Sequence, residues 1–257
     1  MEALKVFIFS FFNPFKAFRI IEKKWGFKIY WFTALLILLT IVIYSFTATP
    51  RAIRFSEKLK ESQIEERREK VGSPMKKTGG SQGQILSYLK QFTNVGSSGN
   101  VMQFISMLAS PLVQIISWFF IALVYWGLIY IFRNKTEYSK ILTVVVISSV
   151  PILISTLVNL FYTLFTGKII MHTGLSGLVA SGNVFADSSN LLYMILSRVD
   201  IFILWGLILL IIGIAIACKM KVWKSISIVL VVYILSIIVV ITTSSISTVF
   251  LGGIFPQ

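Results

Sequence analysis

Polar side chains recur at helical spacing within two apolar stretches of the chain, and each set falls on a single helical face. Hydroxyl groups near the carboxyl end and one carboxylate at the start of another apolar stretch are expected at the same depth. The positions are Ser110, Gln114 and Ser117, then Ser155, Asn159 and Tyr162, then Thr243 and Ser247, and finally Asp200. Such groups either hydrogen-bond between helices, at about 0.6–2 kcal/mol each, or line an outward-facing polar cavity for a lipid headgroup or small solute.

Catalytic chemistry is not indicated. The apolar stretches carry no His, Asp, Glu, Lys or Arg at membrane depth, whereas proton-coupled pumps and intramembrane metalloproteases need such groups. His172 and Cys218 are single residues of their kind, so neither a zinc site nor a disulfide is expected. No phosphate-binding loop, catalytic carboxylate pair or nucleophile elbow occurs. We predict no catalytic residue, no metal and no cofactor.

A short amphipathic segment precedes the first apolar stretch. Asn13-Pro14 is a helix-start signal, since Asn caps free backbone N–H groups and Pro fits the first turn. One side of the following helix is aromatic and aliphatic, and the other carries Lys16, Arg19, Lys23 and Lys24. This pattern predicts an interfacial helix whose cations bind anionic headgroups. A cytosolic helix packed under a helical bundle is the alternative.

The apolar stretches themselves are long enough to cross a bilayer. Hydrophobic residues make up 56% of the chain, against roughly 45–50% in a soluble domain. The eighteen residues from Ile201 to Cys218 are uncharged, and Gly213 and Ala217 let a neighbouring backbone approach closely. We predict an all-α, polytopic transmembrane bundle. Its five spans cover about 29–49, 104–132, 141–167, 201–218 and 225–251.

Prolines and composition divide the chain further. The first span is expected to stop at Pro50, and kinks are expected at Pro111 and Pro151. The polar loop 50–103 contains a charge-patterned segment, Ser56 to Val71, that predicts a solvated helix and no independent domain. The organisation is thus a cytoplasmic or interfacial segment, 1–28, followed by a membrane domain, 29–257.

The charge distribution sets the expected orientation. The net charge is +14, yet no basic helix with base-reading residues stands apart, so nucleic acid is not an expected partner. Twelve basic residues fall in the amino-terminal segment and two short loops on one side, and two fall in the short loop opposite. The long loop 51–103, also opposite, holds ten basic residues and five Glu, but long loops carry less of the orientation signal. The positive-inside rule then places the amino terminus in the cytoplasm and the carboxyl terminus outside the cell membrane, with loop 50–103 extracytoplasmic.

The chain resembles the prokaryotic branch of the YIP family, the Ypt/Rab-interacting-protein-like membrane proteins. The matching residues are the run from Asn13 to Phe18, the run from Ser148 to Pro151, the run from Asp200 to Trp205, and Gly213. The resemblance covers most of the chain apart from loop 50–103. It implies five helices with a cytosolic amino terminus. Eukaryotic members are linked to Rab GTPases and vesicle traffic. The long acidic and aromatic amino-terminal tail of those members is missing here, so a GTPase partner is not carried over.

Together these features favour a non-catalytic protein that organises the membrane or binds proteins and lipids. Membrane lipids are the expected partners, with another membrane protein or a second copy of the chain as further candidates. The alternative function is a transport component, such as a permease-like subunit or a carrier of small solutes or lipids, with the polar cavity as its site.

Overall fold

The computed structural model describes residues 2–23, 27–71, 96–132, 135–170, 172–182, 187 and 190–254. Within these ranges the chain is helical, apart from short connections. The nine α-helices are α1 Glu2–Phe12, α2 Pro14–Lys23, α3 Phe27–Val71, α4 Gly96–Ile131, α5 Tyr138–Ser148, α6 Val150–Thr166, α7 Leu191–Leu196, α8 Ile201–Ala217 and α9 Val222–Ile254. A 3-10 turn, Gly174–Leu178, lies before α7.

Four apolar segments are long enough to cross a membrane, counted over the described residues. They are Tyr30–Arg51, Met107–Ile131, Tyr138–Thr166 and Val222–Val239. The shorter apolar helix α8 has 17 residues, which at 1.5 Å per residue is about 26 Å long. The all-α membrane bundle predicted from the sequence is therefore confirmed, with α8 as the shortest of these five apolar segments.

The first helix corrects one expectation. We expected it to stop at Pro50, but α3 continues through this proline to Val71. The predicted solvated helix is thus the end of α3, and the linker that follows, 72–95, lies outside the described residues. Close to the proline, Arg51 Nη1 donates a hydrogen bond to the Thr47 carbonyl at 2.8 Å. The N–H missing from Pro50 would have donated to the Phe46 carbonyl, so this bond is a neighbouring contact and not its replacement.

The expected kink in the third span is confirmed as a break. Helix α5 ends at Ser148 and α6 begins at Val150, with Pro151 in its first turn. Proline fits this position because the first N–H groups of a helix have no intrahelical acceptor. Trp118 of α4 donates its Nε1–H to the Ser149 hydroxyl at 3.0 Å, which ties the break to the neighbouring helix.

Helix α5 lies at the centre of the bundle, and every residue from Ile141 to Val150 is buried. Around it pack α3, α4 and α8, while α6 packs mainly against α3 and α8. Helix α9 packs on α8, where Ser225 Oγ donates to the Ile211 carbonyl at 2.7 Å. The centre of the bundle is thus closely packed, and the two clefts described below lie at its ends.

Candidate functional site

The amino-terminal hairpin of α1 and α2 is seated on the bundle. The Asn13 side chain caps α2 by accepting a hydrogen bond from the Lys16 backbone N–H at 3.0 Å, as the sequence predicts. The apolar residues Ala17, Phe18 and Ile21 have no exposed surface. Because α2 packs against α1 and α8, the bundle covers its apolar side, as in the packed alternative.

The contact between α2 and α8 depends on Gly213. A Cβ atom built on this glycine would lie 2.5 Å from Val144 Cγ1 and 2.8 Å from two ring carbons of Phe18. Real Cβ atoms essentially never come that close, so only glycine admits the Phe18 ring at this point. The sequence predicts a neighbouring backbone close to Gly213, whereas the nearest atoms belong to the side chains of Val144 and Phe18. The close contact is thus confirmed, but it is made by side chains, one of them from the amphipathic helix.

The cations of α2 face away from this contact. Lys16, Arg19 and Lys23 are exposed, and the Lys16 ammonium lies 4.2 Å from the centre of the Phe9 ring. Such a position over an aromatic face orients the charge by a cation–π attraction. The fourth predicted headgroup-binding residue, Lys24, lies outside the described residues. No observation tests headgroup binding by these four residues, which stays a prediction.

A second group of cations lies at the turn between α8 and α9. Lys219, Lys221 and Lys224 line a cleft of about 490 Å³ together with the exposed aromatic side chains of Phe132 and Trp223. We call it the lysine cleft. An exposed tryptophan beside cations is typical of a membrane–water interface.

Lys219 also has an unusual backbone conformation. Its φ is +48°, in the left-handed region that normally favours glycine. The turn is held by hydrogen bonds from the Lys219 N–H to the Ile216 carbonyl at 3.2 Å and from the Met220 N–H to the Ala215 carbonyl at 3.0 Å. A lysine is thus kept where glycine would be less strained.

The chain path puts α2 and the lysine cleft at the same end of the bundle. Helix α2 precedes the start of the first span, Phe132 follows the end of α4, and the lysine cleft follows the end of α8. Successive spans run in opposite directions, so these three points share one side. We call it the amino-terminal face, and the other end the opposite face.

The predicted polar positions on α4 and α6 are distributed through the bundle. Ser110 is hydrogen-bonded to Ser45 of α3, with 2.8 Å between the two hydroxyl oxygens, so it joins two helices. Gln114, Ser117, Ser155 and Asn159 are half-buried. Of these six predicted positions on α4 and α6, all in the described part of the chain, Tyr162 is the one that lines a cleft described below, which lies at the opposite face.

Asp200 and the hydroxyl run occupy other places. Asp200 caps α8, its Oδ1 accepting from the Phe202 N–H at 2.7 Å, which confirms that it begins this helix. Thr243 and Ser247 belong to α9, but their side chains lie outside the described part of the structure. A cavity built from all nine predicted positions stays a prediction.

A second cleft lies at the opposite face and has a volume of about 950 Å³. Its walls come from the end of the first span and from the segment after α6. The lining residues are Arg51, Arg54, Phe55, Tyr162, Gly167, Lys168, Ile169, Ile170 and His172. We call it the arginine cleft, and none of its lining residues in the described part of the structure is acidic.

The connection beside the arginine cleft is held by polar contacts. His172 Nδ1 lies 3.0 Å from the Tyr193 hydroxyl of α7. Asp187 Oδ1 accepts from the backbone N–H and the hydroxyl of Ser181 at 2.7 and 2.8 Å. These hydrogen bonds hold the pKa of Asp187 below its ordinary value, and the nearby His172 adds a smaller lowering effect. Among the described residues no group of three or more His, Cys, Asp or Glu could hold a metal ion.

Comparison with known proteins identifies the family of this helical bundle. The model of the Yip1 domain matches residues 8–243, which is most of the chain. The chain belongs to the Yip1 domain family. Neither the curated proteins nor the solved structures contain a detectable match. The resemblance found from the sequence is thereby confirmed at the level of the family, and the chain is a membrane protein with transmembrane helices.

Sequence reasoning missed the two clefts. Lys219, Lys221 and Lys224 were counted only as part of the orientation signal, and His172 was considered only as a possible zinc ligand. The signal for the lysine cleft was a tryptophan within the basic turn. For the arginine cleft it was a pair of arginines at i and i+3 after the first span, which share a face only if the helix continues.

Proposed function

We propose that this Yip1 domain protein is a non-catalytic membrane protein that gathers anionic lipids at its amino-terminal face. The observation that carries the proposal is the division of α2 into a covered apolar side and exposed cations. An interfacial helix normally inserts its apolar side into the bilayer. Here the bundle covers Ala17, Phe18 and Ile21, while Phe15 stays 54% exposed. Lys16, Arg19 and Lys23 would then meet the membrane surface mainly through charge.

The lysine cleft supports the same function. It adds three cations and an exposed tryptophan on the same face. Each Lys or Arg close to an anionic surface contributes about 1 kcal/mol, within a Debye length of about 8–10 Å. The backbone of Lys219 gives separate support, because its φ of +48° is a strained conformation for a residue other than glycine. Such conformations cluster at functional sites.

The proposed location is the cell membrane, with the amino-terminal face in the cytoplasm and the carboxyl terminus outside. The positive-inside count supports this orientation. A reporter active only in the cytoplasm, fused after Gln257, should be inactive, and the same reporter fused before residue 1 should be active. The reverse pattern would show that the amino-terminal face is extracytoplasmic.

The decisive experiment measures lipid selectivity. The purified protein is placed in nanodiscs of phosphatidylglycerol and phosphatidylcholine, and the lipids retained after mild release are counted by native mass spectrometry. The variant K16Q/R19Q/K23Q should lose the enrichment in phosphatidylglycerol, by at least tenfold in relative affinity. The charge-preserving variant K16R/R19K/K23R should keep it, because the attraction depends on charge.

The thermal midpoint of each variant checks that the fold is intact, since the apolar side of α2 is unchanged in both. Equal enrichment in the wild-type protein and the neutralised variant would refute the role of α2. Selectivity that survives about 1 M salt would also contradict an attraction between exposed charges.

A transport component is the second candidate function. The break between α5 and α6 favours it, because discontinuous helices form binding sites in many transporters. Near this break the hydroxyl of Ser148 is buried and has no hydrogen-bond partner among the described residues. The variant Q114L/N159L should then lose a co-purified solute or lipid while keeping its fold, and unchanged co-purification would count against this function.

A further inference from the structure

The arginine cleft brings cations from two distant chain segments into one concave surface. Arg51 and Arg54 come from α3, while Lys168 and His172 follow α6. We propose that this cleft binds the phosphate headgroup of an anionic lipid from the leaflet at the opposite face. This site uses residues and a membrane face different from those of the proposed function above.

The cations of the cleft lack counter-charges. Among the described residues, none of Arg51, Arg54 and Lys168 forms an ion pair with a carboxylate. Arg51 donates from Nη1 to the Thr47 carbonyl, and its guanidinium group has further N–H donors. A cleft lined by one sign of charge concentrates its field and attracts a mobile ion of the opposite sign. An anion in the cleft would therefore relieve the mutual repulsion.

A nearby carboxylate does not fill this role. Asp187 is close enough to His172 for the two to interact electrostatically, but it does not line the cleft. Its Oδ1 already accepts two hydrogen bonds from Ser181. The positive charge of the two arginines and Lys168 is thus left for a ligand.

Membrane topology does not explain these cations. The positive-inside rule accounts for basic residues on a cytoplasmic face. In the proposed orientation, Arg51, Arg54 and Lys168 lie on the other face, where the rule gives no reason for them. Guanidinium groups bind phosphate oxygens in pairs of parallel hydrogen bonds, which makes arginine the residue of choice for phosphate recognition.

The depth and apolar lining of the cleft point to a lipid. Arg51 is the last residue of the first span, and Gly167 follows the last residue of the third. The cleft therefore lies where headgroups meet the hydrocarbon. Phe55, Ile169 and Ile170 line it beside the cations. A ligand with a phosphate and an acyl chain would contact both kinds of surface, whereas a bare phosphate ion would use only the cations.

The test uses photo-crosslinking in nanodiscs. A phosphatidylglycerol analogue carrying a diazirine near its headgroup is cross-linked to the full chain, and labelled peptides are mapped by mass spectrometry. Label should appear on the segment around Lys168 to Ile170. The variant R54Q/K168Q should need roughly 30-fold more lipid for the same labelling, because each cation near a headgroup contributes a factor of about five.

Control variants separate the cleft from general charge effects. The double variant K5Q/K135Q removes the same net charge outside the cleft and should leave the labelling unchanged. K16Q/R19Q/K23Q should also leave it unchanged, so the two lipid-binding proposals can fail separately. Three outcomes would overturn the inference: equal labelling of R54Q/K168Q and wild type, an equal loss in K5Q/K135Q, or full displacement by inorganic phosphate alone, which would make a free anion the ligand.

Discussion

Replacing Gly213 by alanine should destabilise the protein by wedging α2 away from α8. The new Cβ would lie 2.5 Å from Val144 Cγ1 and 2.8 Å from the Phe18 ring. Neither neighbour yields easily, because a valine side chain is stiff and Phe18 has no exposed surface. Overpacking of this kind costs about 1–3 kcal/mol, while alanine gains about 1 kcal/mol in helix propensity. The expected net loss is therefore about 1 kcal/mol, and at most about 2 kcal/mol.

The chain supplies a matched control in Gly127. This glycine also lies inside a long apolar helix, but a Cβ atom there would meet nothing within 4 Å. Gly127→Ala should therefore leave the free energy of unfolding unchanged or raise it by about 1 kcal/mol. Both variants can be compared by tryptophan fluorescence during titration of mixed micelles with a denaturing detergent.

A rescue variant identifies the clash itself. In the Gly213→Ala background, Val144→Ala removes the nearest carbon and should recover part of the lost free energy, giving a favourable coupling of about 1–2 kcal/mol in a double-mutant cycle. Equal effects of the substitutions at Gly213 and Gly127 would refute the steric reasoning, and so would a coupling of zero. Amide hydrogen exchange of α2 should rise in Gly213→Ala and return toward wild type in the double variant.

Three further predictions concern hydrogen bonds at helix ends and in a loop. Trp118→Phe removes the donor to the Ser149 hydroxyl and should lower the free energy of unfolding by about 1 kcal/mol, whereas Trp205→Phe, which loses no such bond, should lower it less. Asp200→Ala removes the cap at the Phe202 N–H and should cost about 1 kcal/mol, while Asp200→Asn should keep most of it. The pKa of Asp187 is lowered in the fold, so its ionised form stabilises the fold at pH values above the aspartate pKa of the unfolded chain. Hydrogen-exchange protection around Ser181, measured relative to the intrinsic exchange rate at each pH, should therefore fall as the pH falls below about 4, and Asp187→Asn should show no such transition.

The sequence predicted local features of the fold well. The helix start at Asn13, the break near Pro151 and the close approach at Gly213 are each set by a few neighbouring residues. These features depend on backbone geometry and residue size, which can be inferred without knowing the tertiary contacts. The partner of Gly213 could not be inferred, because helical periodicity identifies a face and not the surface that covers it.

The end of the first helix shows why proline alone is an ambiguous signal. Both parts of α3 were recognised, the apolar span before Pro50 and the charged helix from Ser56, but they were predicted to be separate. A proline removes one N–H donor, and the helix continues if other donors and a helix-forming sequence lie beyond it. Here a helix-forming sequence follows the proline, and Arg51 donates from its side chain to the neighbouring Thr47 carbonyl, one residue after the carbonyl four positions before Pro50.

This continuation is also what creates the arginine cleft. Residues three and four positions apart share a helical face, so a continuous α3 places Arg54 and Phe55 on the same side as Arg51. Helix α3 packs along α6, which brings that side up to the segment beginning at Lys168. Had the helix ended at Pro50, the cations would have no fixed spacing. The cleft that best fits a lipid phosphate therefore depends on the same feature that local sequence rules predict wrongly.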